Sequence, residues 1–276
     1  MIEKFDYCYH THTFRCGHAY GTDEEYVLEA IKQKIKILGF SDHVILPGIN
    51  EPGMRGAFSE LDEYFRSINY LKEKYHDQIK IIPAFEAEYD EHFVPYYESL
   101  FELGKIEYLV LGQHSYYNSD LKRMTFYGSD ARRDPEGTLK AYTKRLIEAM
   151  GSGLFSVVAH PDLMMQSYLE FDELCKEQAL LIIDASIKYD IPLEINFGGL
   201  RTGKGYGKKR DRYRYPVREF WELVSKSNAK VIVGVDAHSP SNLDYVEELD
   251  ITNEMIGDLT FNFVSRIKMR KEIKEA

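Results

Sequence analysis

One alternation dominates this chain: short apolar runs close on polar residues that favour metals, and longer stretches with helical spacing separate them. Residues 5–9 close on His10-Thr11-His12, residues 37–40 on Ser41-Asp42-His43, and residues 79–85 on Glu86. Residues 108–111 lead to Gly112-Gln113-His114, residues 155–159 to His160-Pro161-Asp162, and residues 230–235 to Asp236-Ala237-His238. A seventh run, 192–195, leads to Asn196. Between the runs, 23–35, 59–75, 94–103, 135–150, 172–189 and 216–225 read as helices, and a terminal helix is expected within 254–274. Acids open the first helix, Ser59 suits an N-cap and Pro135 suits a first turn. Strand–helix alternation predicts an α/β fold with a mostly parallel sheet, closed or open. Ligands of such folds gather at the carboxyl ends of the strands. Six runs ending in metal-binding residue types therefore predict one shared site on one rim.

The 276 residues, 44% hydrophobic and 29% charged, suit a globular chain. Without a linker, low-complexity tract or repeat, residues 1–276 read as a single domain. No apolar run approaches the ~18 residues of a membrane span. The first residues lack a signal-peptide pattern, so a cytoplasmic protein is expected. Three cysteines (Cys8, Cys16 and Cys175) form no disulfide framework and fit a reducing compartment. A net charge of −10 argues against long nucleic acid and anionic membranes as partners. From Arg201 to Arg218, however, eight basic residues face one acid, Asp211. Most of these are expected in a solvated loop, with one or two meeting an anionic substrate.

His10 and His12 are two residues apart in an extended segment, so both imidazoles share a face. His18 follows in a glycine-bearing loop that can fold back over them, with Cys16 beside it as a possible additional ligand. His43, Glu86, His114, His160, Asp236 and His238 complete a nine-residue candidate set. His76 and His92 lie in charged surroundings and read as surface residues. Imidazole with carboxylate suits zinc, iron or manganese. Nine donors exceed one tetrahedral ion and point to two or three divalent metals. Glu86 is the expected bridging carboxylate, with Glu88 its rival.

Taken together, His10-Thr-His12, His18, Ser41-Asp42-His43, Phe85-Glu86, Gln113-His114, Ala159-His160-Pro161-Asp162 and Asp236-Ala-His238 resemble the PHP (polymerase and histidinol phosphatase) superfamily. Within it, the chain is most similar to the histidinol-phosphatase branch. That resemblance implies a distorted seven-stranded (β/α) barrel, TIM-barrel-like, with metals at the carboxyl ends of its strands. It implies that His10, His12, Glu86 and Asp236 serve one metal. Glu86, His114 and His160 would serve a second, and His18, His43 and His238 a third.

Clustered metals acidify a bound water and neutralise phosphoryl charge. The expected reaction is attack of a metal-bridging hydroxide on phosphorus, in line with the departing alcohol. Asp42 is the candidate to orient His43 or to protonate the leaving group. Arg201, beyond Gly198-Gly199 at the sixth strand end, is the leading phosphate ligand. Arg15 is a weaker candidate, as are Arg132 and Arg133 in the segment 115–134 expected over the barrel mouth. Tyr116 and Tyr117 are expected beside the organic end of the substrate. The resemblance implies a phosphomonoesterase acting on a small phosphate ester, first of all histidinol phosphate. A phosphoesterase for nucleotides or short oligonucleotides and a non-catalytic metal-binding domain are the alternatives.

Overall fold

A computed structural model describes residues 1–117, 122–129 and 131–275, with the side chain of Tyr117 outside that description. The strands are β1 (Tyr7–Cys8), β2 (Ile37–Phe40), β3 (Lys80–Ala87), β4 (Tyr108–Leu111), β5 (Ser115–Tyr117), β6 (Arg123–Thr125), β7 (Val157–Val158), β8 (Leu193–Asn196), β9 (Lys230–Gly234) and β10 (Asn262–Phe263). Among the described residues, all but β5 and β6 form one parallel sheet in the order β1-β2-β3-β4-β7-β8-β9-β10. The sheet curls until its ends meet. Beyond β1 and β9 the chain pairs Thr11 with Ala237, the His12 N–H donating to the Ala237 carbonyl at 2.8 Å. Closure therefore falls at the carboxyl rim, between two of the metal-type motifs.

The expected seven strands are present, and β10 adds an eighth against the start of β9. The barrel interior is filled by Tyr7, Tyr9, Ile82, Ala84, Tyr108, Val110, Val157, Ala159 and Ile232, with Ile267 from the tail. Period-two alternation along β3 carries Ile82 and Ala84 inward and then delivers Glu86 to the same interior at the rim. Along β9 and its extension, the same step takes Ile232 through Gly234 to Asp236.

Helices α1 (Asp23–Lys32), α2 (Leu61–Lys74), α3 (Val94–Glu102), α4 (Pro135–Gly151), α5 (Glu173–Lys188), α6 (Arg218–Ser225), α7 (Val246–Ile256) and α8 (Arg270–Lys274) complete the fold. Packing on the outer face of the sheet, α1 to α7 bury the larger core, whereas α8 buries no side chain. Thr22 and Glu25 form a reciprocal capping box that starts α1. Asp134 and Asp172 cap α4 and α5 through their side chains.

Two expected boundaries move. Ser59 lies inside a 3-10 turn, Phe58–Glu60, and Glu60 precedes α2. The tail is not one helix: α7 ends at Ile256, β10 follows, and α8 is a single short turn. No described helix is long and apolar enough to cross a membrane.

Candidate metal centre

All nine candidate donors meet at the carboxyl rim. His12, His18, His43, Glu86, His114, His160, Asp236 and His238 line one cleft of about 510 Å³, and His10 is buried beneath it. Glu86 is central. Its carboxylate oxygens lie 3.4 Å from His10 Nε2, 3.3 Å from His12 Nε2, 3.1 Å from His43 Nδ1, 3.6 Å from His114 Nε2 and 3.3 Å from His160 Nε2. Asp236 Oδ1 lies 3.6 Å from His10 Nε2 and 3.4 Å from His12 Nε2.

Room for Glu86 comes from Gly112 on the neighbouring strand. A Cβ there would sit 1.9 Å from Glu86 Oε1. Glu88, its rival, is turned the other way: it pairs with buried Arg55 at 3.2 Å and stands 3.7 Å behind His114 Nδ1.

Divalent metals fit these residues. Zinc–nitrogen bonds of 2.0–2.1 Å set ligand atoms about 3.3 Å apart on a tetrahedron. Among His10, His12, Glu86 and Asp236, the five edges that start from His10 or His12 fall between 3.1 and 3.6 Å, Glu86 facing His10 through Oε1 and His12 through Oε2. Buried polar atoms ordinarily have hydrogen-bond partners. Yet His43 Nδ1, Glu86 Oε1 and Asp236 Oδ1 are buried without one. Protonation states are mixed, since nearby carboxylates raise His10 and His114 against their burial, and a cation binding there would displace their protons. Against their burial, the surrounding imidazoles hold Glu86 and Asp236 well below the usual carboxylate range. Burial, with His238 nearby, takes His12 down to about 3, and burial also lowers His43. Ionised carboxylates and neutral imidazoles are the forms that coordinate cations.

The remaining groupings differ from those the resemblance implies. His43 joins Glu86 and His114, while His238 joins His12 and Asp236. His18 completes the outer edge, its ring 5.0 Å from that of His238 and 5.3 Å from that of His43. His160 and Asp236 hold positive φ values of 30° and 51°. Such backbone is costly for residues other than glycine and concentrates at functional sites.

Three expected roles are corrected. Arg15 does not line the cleft. Its guanidinium is taken by Asp23 at the start of α1 and by Glu63, 3.0 Å away, and so has no fork left for phosphate. Asp42 does not contact His43. It accepts from the Thr13 N–H at 2.6 Å and from Thr13 Oγ1, while burial pushes it up to about 7. Together, Asp42, Thr13 and Arg15 brace the loop between His12 and His18. Tyr116 turns outward onto Phe126 and Arg145.

The side chain of Tyr117 lies outside the described residues. Arg132 reaches toward the Gln166 carbonyl at a second pocket. Cys16, buried near His12 and Asp42, donates its thiol to the Thr13 carbonyl at 3.2 Å.

Arg201 does line the cleft. Its Nε donates to Glu248 at 2.7 Å and its Nη1 to the Asp236 carbonyl at 2.9 Å, leaving Nη2 without a partner among the described residues. From the same basic stretch, Arg214 and Tyr215 also reach the cleft. Glu194 was not among the expected site residues. It is buried on β8, with its oxygens 3.0 and 3.1 Å from His10 Nδ1. The available signal was an acid set, at period two from Asn196, in an otherwise apolar strand.

Comparison with known proteins agrees with this geometry. A family model described as the PHP domain matches residues 9–197. A Deinococcus radiodurans protein described as "Probable histidinol-phosphatase" is 24% identical over 237 residues, covering 86% of this chain and 87% of its own. Two crystal structures share the fold. One, from Listeria monocytogenes, is described provisionally as a histidinol phosphatase; it superimposes with a TM-score of 0.71 at 21% identity, covering 88% of this chain and 99% of its own. The other is the histidinol phosphate phosphatase of Lactococcus lactis complexed with zinc, L-histidinol and phosphate. Its TM-score is 0.66 at 17% identity, with 95% and 98% of the two chains covered.

Proposed function

The chain belongs to the PHP domain family, and on that premise we propose that it is a metal-dependent phosphomonoesterase acting on histidinol phosphate. The observation that carries this proposal is the convergence of nine imidazole and carboxylate side chains on one cleft, six of their buried polar atoms lacking hydrogen-bond partners among the described residues. Two or three divalent ions fit the donor set. Zinc is favoured over manganese and iron, since the Lactococcus protein was complexed with it. Bound there, the metals would supply an acidified water and positive charge for the phosphoryl oxygens.

The chain's own groups do the rest. Glu86 and Asp236 hold the imidazoles in one cluster. Arg201, at the wall of the cleft, holds a guanidinium nitrogen that has no partner among the described residues and that a phosphate oxygen would satisfy. Met54, Tyr127 and Leu163 offer apolar surface to the organic end of the substrate, and Gln166 offers an amide. Histidinol phosphate is favoured because the Deinococcus and Lactococcus relatives carry that activity in their descriptions.

The test is metal analysis of purified protein followed by assays with histidinol phosphate, nucleoside monophosphates and a phosphodiester. Highest kcat/KM on histidinol phosphate is expected. Hydrolysis of nucleotides alone would move the substrate to that class. Metal binding without hydrolysis of any ester would leave a binding domain. No metal uptake from zinc, manganese or iron would overturn the metal centre itself.

A further inference from the structure

Two carboxylates stand behind the metal-facing histidines, and their surroundings differ. Glu88, behind His114, is 3.7 Å from Nδ1, and its charge is shared with Arg55, whose buried guanidinium lies 3.2 Å away. Glu194, behind His10, is in direct contact with Nδ1 through both oxygens, at 3.0 and 3.1 Å. Its other polar partner among the described residues is the Asn196 amide, which donates to Oε2 at 2.7 Å. Asn196 in turn accepts from the Gly198 N–H at 2.8 Å. No lysine or arginine contacts Glu194 among the described residues.

The position is also shaped for this carboxylate. On β9, Gly234 pairs with Asn196, and a Cβ on Gly234 would fall 1.8 Å from Glu194 Oε1. Burial at 2% exposure keeps water from screening the charge.

A carboxylate accepts hydrogen bonds and cannot donate one. It therefore keeps the His10 proton on Nδ1 and leaves the Nε2 lone pair facing His12, Glu86 and Asp236. An unshared carboxylate also makes the opposite nitrogen a stronger donor. We propose that Glu194 is a positioning residue that fixes the tautomer of His10 and makes the His10–His12–Glu86–Asp236 set the tightest of the metal positions. The His114 side, backed by a carboxylate already paired with Arg55, is then the more exchangeable one. This inference rests on the metal centre proposed above.

The experiment compares the full-length wild type with Glu194→Gln and Glu88→Gln in zinc-buffered solutions, counting bound equivalents against free zinc. One equivalent of the wild type is expected to persist at free zinc levels that strip the others. Glu194→Gln is expected to weaken that equivalent by about 10- to 100-fold, the usual effect of removing such a partner. Glu88→Gln is expected to leave it unchanged.

Melting of the metal-free proteins separates positioning from folding, because the glutamine amide keeps an acceptor oxygen for the His10 Nδ1–H and a metal-free melting temperature close to the wild type is therefore expected. Unchanged zinc affinity in Glu194→Gln would overturn the proposal, as would a parallel fall in metal-free melting. In the zinc-loaded wild type, nitrogen-15 spectra are expected to show His10 protonated at Nδ1; the opposite tautomer would also overturn it. A wild type that binds no zinc would remove this inference and the metal centre together, whereas a zinc-binding wild type with an indifferent Glu194→Gln removes this inference alone.

Discussion

Arg201 offers the sharpest perturbation of substrate recognition. Two of its nitrogens are anchored, Nε on Glu248 and Nη1 on the Asp236 carbonyl, and Nη2 is buried without a partner. A buried unsatisfied donor costs roughly 1–3 kcal/mol, and a hydrogen bond to a charged group contributes about 1.5–3 kcal/mol. If phosphate satisfies Nη2, replacing the arginine removes about 1.5–3 kcal/mol of transition-state stabilisation, or about 10- to 150-fold in kcat/KM. Arg201→Ala is expected to show that loss with histidinol phosphate. Inhibition by inorganic phosphate is expected to weaken in the same variant. Arg201→Lys is expected to recover little, because a point ammonium cannot hold Glu248, the Asp236 carbonyl and a phosphate oxygen together. Zinc content, measured on the same samples, is expected to stay at the wild-type level. An unchanged kcat/KM would refute the assignment. So would a loss that follows zinc content, since Arg201 would then be acting through the backbone of Asp236.

Two further substitutions test the neighbouring assignments. Glu86→Ala is expected to abolish turnover and bound metal together, because the grouping of His10 with His12 and that of His43 with His114 both depend on its oxygens; metal analysis beside the activity assay checks this. Arg15→Ala strands buried Asp23, so denaturant unfolding is expected to show a loss of about 3–5 kcal/mol, the usual effect of breaking a buried pair. KM for phosphate ester is expected to rise no more than the loosened His12–His18 loop requires, and a selective loss of phosphate affinity at full stability would restore Arg15 to the substrate site.

Local pattern carried much of this protein. The alternation of strands and helices, and the ligand types at six strand ends, repeat at short range and are visible without a structure. Period-two spacing paired His10 with His12 and Asp236 with His238 on the expectation of extended chain, and the fold brings both pairs to the cleft from just beyond β1 and β9 although Asp236 itself has a φ of 51°. Glu86 was separable from Glu88 only in three dimensions. Glu86 lies near the end of β3 and Glu88 just beyond it, two residues on, and the choice is made by Gly112, which opens space for one, and Arg55, which claims the other. Partners distant in sequence decided the remaining cases. Arg15 looked available for phosphate until α1 and Glu63 brought acids to it. Asp42 looked tied to its neighbour His43 until the curl of the sheet set Thr13 against it. Glu194 looked like part of a strand until closure of the barrel brought β1 within 3.0 Å of its carboxylate. A residue's chemical type is written locally, but the charge and hydrogen-bond partners that assign its role come from distant segments, 184 positions away for Glu194 and His10, and only the folded barrel brings them together.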